Sequence, residues 1–196
     1  MTKNIVLIRN AQPYDFGGGE RFPVLTASVL QANGYTPTIL SRSKSLLEFS
    51  QQNSVPFIKS WWWSNQNWSG WRVALTPVYF LWQIVLFFYY VTVFIRLKPA
   101  AVHIQSKDDF IAATYAARLL RARVVWTDHA DLKHVWQNVT VWYKNPIGKA
   151  VLLAARSAHA ITVVSQSECT RVTKNLRQDD SVKNKIDATI EGIISS

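Results

Sequence analysis

The sequence predicts an α/β fold: a Rossmann-like, doubly wound, mostly parallel sheet with helices on both faces. Three observations lead there. Short apolar runs alternate with longer helical stretches along the whole chain, which is the order of successive βαβ units. Most of the runs are continuous rather than alternating, as in strands covered on both faces. The chain of 196 residues is 48% hydrophobic and 17% charged. That is enough apolar surface for one ordered core and too little charge for a disordered chain.

The elements follow in order. Asn4–Arg9 is the first strand, and the turn "DFGGGERF" feeds a helix over Glu20–Ala32 with Pro23 in its first turn. Gly34 follows as a C′ glycine would. Next come strand Thr36–Ser41, helix Ser43–Gln51 and strand Val55–Trp61. A long helix over Pro77–Leu97 precedes strand Ala101–Gln105, helix Asp109–Leu120 and strand Arg123–Thr127. Helix Asn145–Ser157, strand Ala160–Val164 and helix Gln166–Asn175 complete the pattern. No internal repeat is visible.

The 23 residues between Arg72 and Arg96 carry no charge, a length that could span a bilayer. A single span would put the strands before and after it on opposite sides of the membrane. Pairing in one sheet forbids that, so the stretch reads as a crossover helix with an aromatic outer face. Just before it, "WWWSNQNWSGW" holds Trp61, Trp62, Trp63, Trp68 and Trp71. These indoles either fold back onto the core or dip into a headgroup layer beside Arg72 without spanning it. A protein-binding patch is a third reading.

The net charge of +10 favours phosphate-bearing partners, anionic membrane surfaces among them. Cys169 is the one cysteine, so neither an internal disulfide nor a cysteine metal cluster is available, as suits a reducing compartment. "IVLI" after Lys3 is too short for a secretory core. The expected location is cytoplasmic, peripheral at the inner face of the cell membrane.

Two motifs carry candidate chemistry. In "DFGGGERF", Gly17 and Gly19 fit the start of a dinucleotide fingerprint, but Phe22 stands where its third glycine belongs. No Gly-Lys-Ser/Thr follows, so it is not a P-loop. A glycine-rich turn at a helix N-terminus remains, either a plain turn or an anion site. In "VVWTDHADLKH", Asp128 and His129 fall at the carboxyl end of the fifth strand, where open α/β sheets bind ligands. His129 is either a structural histidine or a group that bonds a sugar hydroxyl, holds a phosphate or exchanges a proton. His103 and Ser165 also stand near strand ends, but neither forms a catalytic triad, and no metal-ligand spacing occurs.

The series "GGGERF", "PAAVHIQS", "VVWTDHADL" and "AITVVSQSECTRV" resembles the amino-terminal half of GT-B glycosyltransferases, most closely the retaining family 4 type. Ala100 and Ala101 follow Pro99 where the family has an acidic residue. The resemblance implies a single amino-terminal, acceptor-side domain over 1–196 with an aromatic, membrane-associating insertion at 61–97. The donor-binding carboxyl-terminal domain is then absent, and the isolated chain inactive. It further implies that Gly17, Gly18 and Gly19, with Arg21, lie near the donor diphosphate. His129 and Asp128 would lie near the transferred sugar, and Ser106 and Lys107 near the acceptor. The partners implied are a nucleotide-sugar donor, which is substrate rather than cofactor, and a glycan or lipid-linked acceptor, with no metal and no nucleic acid. Two other classes stay open on the residues alone: a non-catalytic nucleotide- or nucleic-acid-binding module, and a membrane-spanning scaffold.

Overall fold

Six parallel strands lie in the order β3-β2-β1-β4-β5-β6. The structure, a computed structural model, describes residues 3–10, 18–62, 74–128 and 146–163. Along the chain run β1 (Asn4–Ile8), α1 (Gly18–Ala32), β2 (Thr36–Ser41), α2 (Lys44–Gln52) and β3 (Phe57–Lys59). Then follow α3 (Thr76–Leu97), β4 (Ala101–Ile104), a 3-10 turn (Lys107–Asp109) and α4 (Phe110–Leu119). β5 (Arg123–Asp128), α5 (Pro146–Ser157) and β6 (Ala160–Val163) complete the described elements. Each of the six strands and the first five helices forms where the sequence pattern puts it; Gln166–Asn175 lies outside the described residues.

The continuous apolar strands are explained by a core on both sides of the sheet. Val6, Ile8, Leu40, Val102, Ile104, Val124 and Trp126 point to one face, beneath α3, α4 and α5. Leu7 and Ile39 point to the other, where they meet Val24 and Ala27 of α1 and Leu46 of α2. Successive residues thus alternate between two buried layers. β3 is shorter than its apolar run because it is an edge strand, paired only along Ile39–Ser41 of β2. Val55, just before it, packs into the α1–α2 layer instead.

Local chemistry sets the helix ends. Gly34 has φ +78° and closes a Schellman motif: Tyr35 N–H donates to Leu30 O at 3.0 Å and Gly34 N–H to Gln31 O at 3.0 Å. Ser43 caps α2, its hydroxyl accepting from Leu46 N–H at 3.4 Å. α1 begins at Gly18, two residues earlier than the pattern predicts, which moves Pro23 beyond the first turn. There it removes one intrahelical hydrogen bond.

α3 leaves the edge strand β3 and returns to β4 at the middle of the same sheet, so it is a crossover helix and not a span. Its inward face presents Tyr79, Gln83, Leu86, Tyr90 and Phe94. The buried Gln83 amide is satisfied on both atoms: Nε2 donates to Asp108 O at 2.8 Å, and Oε1 accepts from Ala112 N–H at 3.2 Å. One of the orphan amides in the first turn of α4 is therefore capped by a side chain from another helix.

Candidate functional site

The strand order reverses between β1 and β4, so connections leave the sheet in opposite directions and open a crevice at the carboxyl ends of these strands. The residues that end the strands there are Arg9 and Asn10 after β1, Ser41–Ser43 at and after β2, Ser60–Trp62 after β3, and Gln105–Lys107 after β4. α1 runs back from this edge, so its amino terminus, at Gly18 and Gly19, belongs to the same end of the sheet.

Asn10 fastens four strand ends together. Its backbone N–H donates to Ser106 Oγ at 2.6 Å. Its side-chain oxygen accepts from Ser60 Oγ at 2.9 Å and from Arg42 N–H at 3.1 Å. Its amide nitrogen donates to Asp109 Oδ2 at 3.0 Å. Ser41 Oγ adds a bond to Arg9 O at 2.5 Å, and an Arg9 guanidinium nitrogen donates to Gln105 O at 2.9 Å.

Asp109, like Asn10 and Ser106, has no exposed surface. Its Oδ1 accepts from Trp62 Nε1 at 3.0 Å and from Tyr90 Oη at 2.8 Å. Burial pushes its carboxyl above the usual carboxylate range, while bonds from Tyr90, Asn10, Trp62 and Ser106 pull it down. Burial first, and the Asp109 charge second, hold the Tyr90 phenol well above its ordinary value. The Asn10 and Asp109 side chains at the floor of the crevice are thus satisfied buried polar groups, which rigidifies the loops above them.

A second chain of bonds crosses β4, β5 and β6. His103 Nε2 lies 2.6 Å from Thr127 Oγ1, Thr127 is hydrogen-bonded to Thr162, and Thr162 Oγ1 donates to Trp126 O at 3.0 Å. Each hydroxyl has one proton, so Thr127 donates to Thr162 and His103 Nε2–H donates to Thr127. This fixes the tautomer and leaves Nδ1 as an acceptor, facing the Gln105 amide. Burial lowers the His103 pKa to about 4, so the ring is neutral near pH 7.

The sequence-predicted residues divide. Gly18 and Gly19 form the first turn of α1, and Arg21 is an exposed residue of that helix. Asp128 ends β5 and is described as backbone; Gly17 and His129 lie outside the described residues. Ser106, expected to meet an acceptor, is instead fully buried, because its hydroxyl is spent on Asn10 N–H; Lys107, next to it, is half-buried. Among the tryptophans, Trp63, Trp68 and Trp71 lie outside the described residues. Trp62 is 1% exposed, so it is a core residue and not an interfacial anchor: Asp109 binds its indole N–H and Tyr89 packs edge-on at 4.4 Å. Trp61 is exposed and rests on Trp82 and Tyr89 of α3, ring centres 5.4 and 6.2 Å away. Asn10, Asp109 and Tyr90 were not singled out from sequence; an Asn directly after the first strand and an Asp pair opening a helix in "SKDDF" were the signals available.

The chain matches the family model described as Glycosyltransferase Family 4 over residues 16–183. In fold it is similar to a glycosyltransferase from Rickettsia africae ESF-5, with TM-score 0.58 and 16% identity, covering 94% of this chain and 42% of that one. It is also similar to HepE from Anabaena in complex with UDP-glucose, with TM-score 0.53 and 15% identity, covering 88% of this chain and 40% of that one. No curated protein matches at the level of sequence. The chain therefore spans well under half the length of these solved relatives. The matched segment begins after β1 and Asn10 and takes in the α1 amino terminus, β4 and the end of β5, and by this match the chain belongs to Glycosyltransferase Family 4.

Proposed function

We propose that this chain is the acceptor-side half of a retaining glycosyltransferase. Such an enzyme moves a sugar, of hexosyl type, from a nucleotide-sugar donor to a glycan or lipid-linked acceptor at the cytoplasmic face of a membrane. The observation that carries this reading is the strand-end crevice at the β1/β4 switch point, floored by the Asn10–Asp109 bonds and shared with the α1 amino terminus. Donor transfer needs stabilisation of negative charge on the departing diphosphate. Free amides at a helix amino terminus supply that without reorganisation, which gives Gly17–Gly19 their role and makes Arg21 the supporting cation. His129 and Asp128, at the end of β5, are assigned to the transferred sugar, and Lys107 to the acceptor. HepE was solved with UDP-glucose, which supports a nucleotide-sugar donor. The second wall of the cleft, and most of the grip on the nucleotide, belongs to a donor-binding half, so the isolated chain is expected to be inactive. No metal is assigned.

The test is donor turnover by the full-length protein against His129→Ala. A fall of roughly 100-fold or more in kcat is expected if His129 stabilises the reacting sugar. Unchanged turnover removes His129 from the site.

A further inference from the structure

The outward face of α3 carries the longest exposed apolar stripe among the described helices. Val78, Leu81, Ile84, Val85, Phe88 and Ile95 are each at least 47% exposed. Apart from Pro77 and Thr92, no other residue of α3 before Arg96 is exposed. A water-facing helix surface ordinarily carries charged and polar residues, and the other helices place charges among their exposed apolar residues: α1 exposes Arg21 beside Phe22, Leu25 and Val29, α4 exposes Arg118 beside Tyr115 and Leu119, and α5 exposes Lys149 and Arg156 beside Leu153. The Thr92 hydroxyl is no exception, since it donates to Phe88 O at 2.9 Å within the helix. Gln83, the one amide of α3, is turned inward. The apolar stripe from Val78 to Ile95 is about 25 Å long at the rise of an α-helix.

We propose that this face docks on an anionic bilayer, with α3 lying in the plane of the interface and its aliphatic stripe in the acyl region. Three features select a bilayer as occupant. Both ends of α3 return to one sheet, so the helix can lie on a membrane but cannot cross it. Exposed Arg96 and Lys98 stand at one end of the stripe and Lys59 on the neighbouring edge strand, the placement that meets acidic headgroups. Trp61, edge-on against Trp82 and Tyr89, forms an aromatic flank beside the stripe, the side-chain type that settles at headgroup depth. A second copy fits less well, because α3 carries no acidic residue to meet Arg96 and Lys98. The inference deepens the membrane part of the proposed function. Vesicle binding is read without donor or acceptor, so either can fail while the other stands.

Flotation with vesicles of phosphatidylcholine and phosphatidylglycerol, in a roughly 3:1 mixture, tests it, with pure phosphatidylcholine vesicles in parallel. Wild type is expected to float with the anionic vesicles and to bind the neutral ones weakly. Leu81→Glu/Phe88→Glu should lower the bound fraction at least roughly tenfold, whereas Leu119→Glu, on the exposed face of α4, should leave it unchanged. If the double glutamate variant melts early, Leu81→Ser/Phe88→Ser reads the same face. The proposal is overturned if wild type stays with the soluble fraction, if it binds neutral vesicles equally well, or if the α3 variants float as wild type does. A wild-type dimer that the α3 variants split, with vesicle binding unaltered, also overturns it and assigns the face to a second copy.

Discussion

Asp109 is the residue on which the strand ends depend. Its two oxygens accept from Asn10, Trp62 and Tyr90, which come from three separate parts of the chain. Asp109→Ala leaves those donors buried without an acceptor, at about 1–3 kcal/mol each. A loss on the order of 3 kcal/mol in urea-unfolding stability is therefore expected, with a smaller loss for Asp109→Asn; a loss under about 1 kcal/mol for the alanine variant would refute the arrangement. His103 gives a second prediction. Its pKa falls from 6.5 to about 4 on folding, so between these values the unfolded chain binds the proton and the folded one does not. Its contribution is fully present above about pH 6.5 and shrinks toward pH 4, by at most about 3 kcal/mol. Asp109 works in the opposite direction: its raised pKa lets the folded state take up a proton first, so that stability is lost as pH rises through the folded value. His103→Gln should flatten the His103 limb alone, seen as a smaller difference in melting temperature between pH 7 and pH 5; an unchanged difference would place that limb on other groups. None of these contacts was legible in the sequence. Trp62 and Asp109 are 47 residues apart and Tyr90 and Asp109 are 19 apart, and no local spacing encodes a meeting of that kind.

Among the elements, those with a strong local signal were legible. The continuous apolar runs gave the strands, and Gly34 gave the end of α1 through its positive φ. The sequence favours a crossover for α3 over a span, and the single sheet that holds both β3 and β4 bears out the crossover. The exceptions have physical causes. Glycine is a poor helix former, so residues 18 and 19 read as turn although α1 includes them. For Trp62 the sequence left core and interface both open, because composition does not reveal that a buried carboxylate awaits its N–H. Gln83 is the corresponding surprise on α3, where its amide joins that helix to α4. Gln83→Leu keeps the volume but strands Ala112 N–H and Asp108 O, so a loss of about 1–3 kcal/mol is expected in chemical denaturation. A neutral or stabilising result would show that the α3–α4 contact is held by its apolar residues alone.

At the scale of the whole molecule, the order 3-2-1-4-5-6 places the first helix terminus, four strand ends and the end of β5 along one edge, while the apolar face of α3 lies outside the sheet on the flank of α4. The strand-end crevice and the apolar face of α3 thereby occupy separate surfaces of one fold. The fold and the position of the crevice were legible from the run order and from "GGGERF" and "VVWTDHADL". The donor wall was not, because the chain corresponds to 42% and 40% of the solved relatives. The central claim is sugar transfer, and its most direct measurement uses the full-length protein, a radiolabelled UDP-sugar panel and membranes carrying lipid-linked acceptors. The account predicts label moving into the lipid fraction with retention at the anomeric carbon, and none moved by residues 1–196 alone. Binding of UDP-sugar with no transfer to any glycan or lipid acceptor, in the full-length protein, would contradict it.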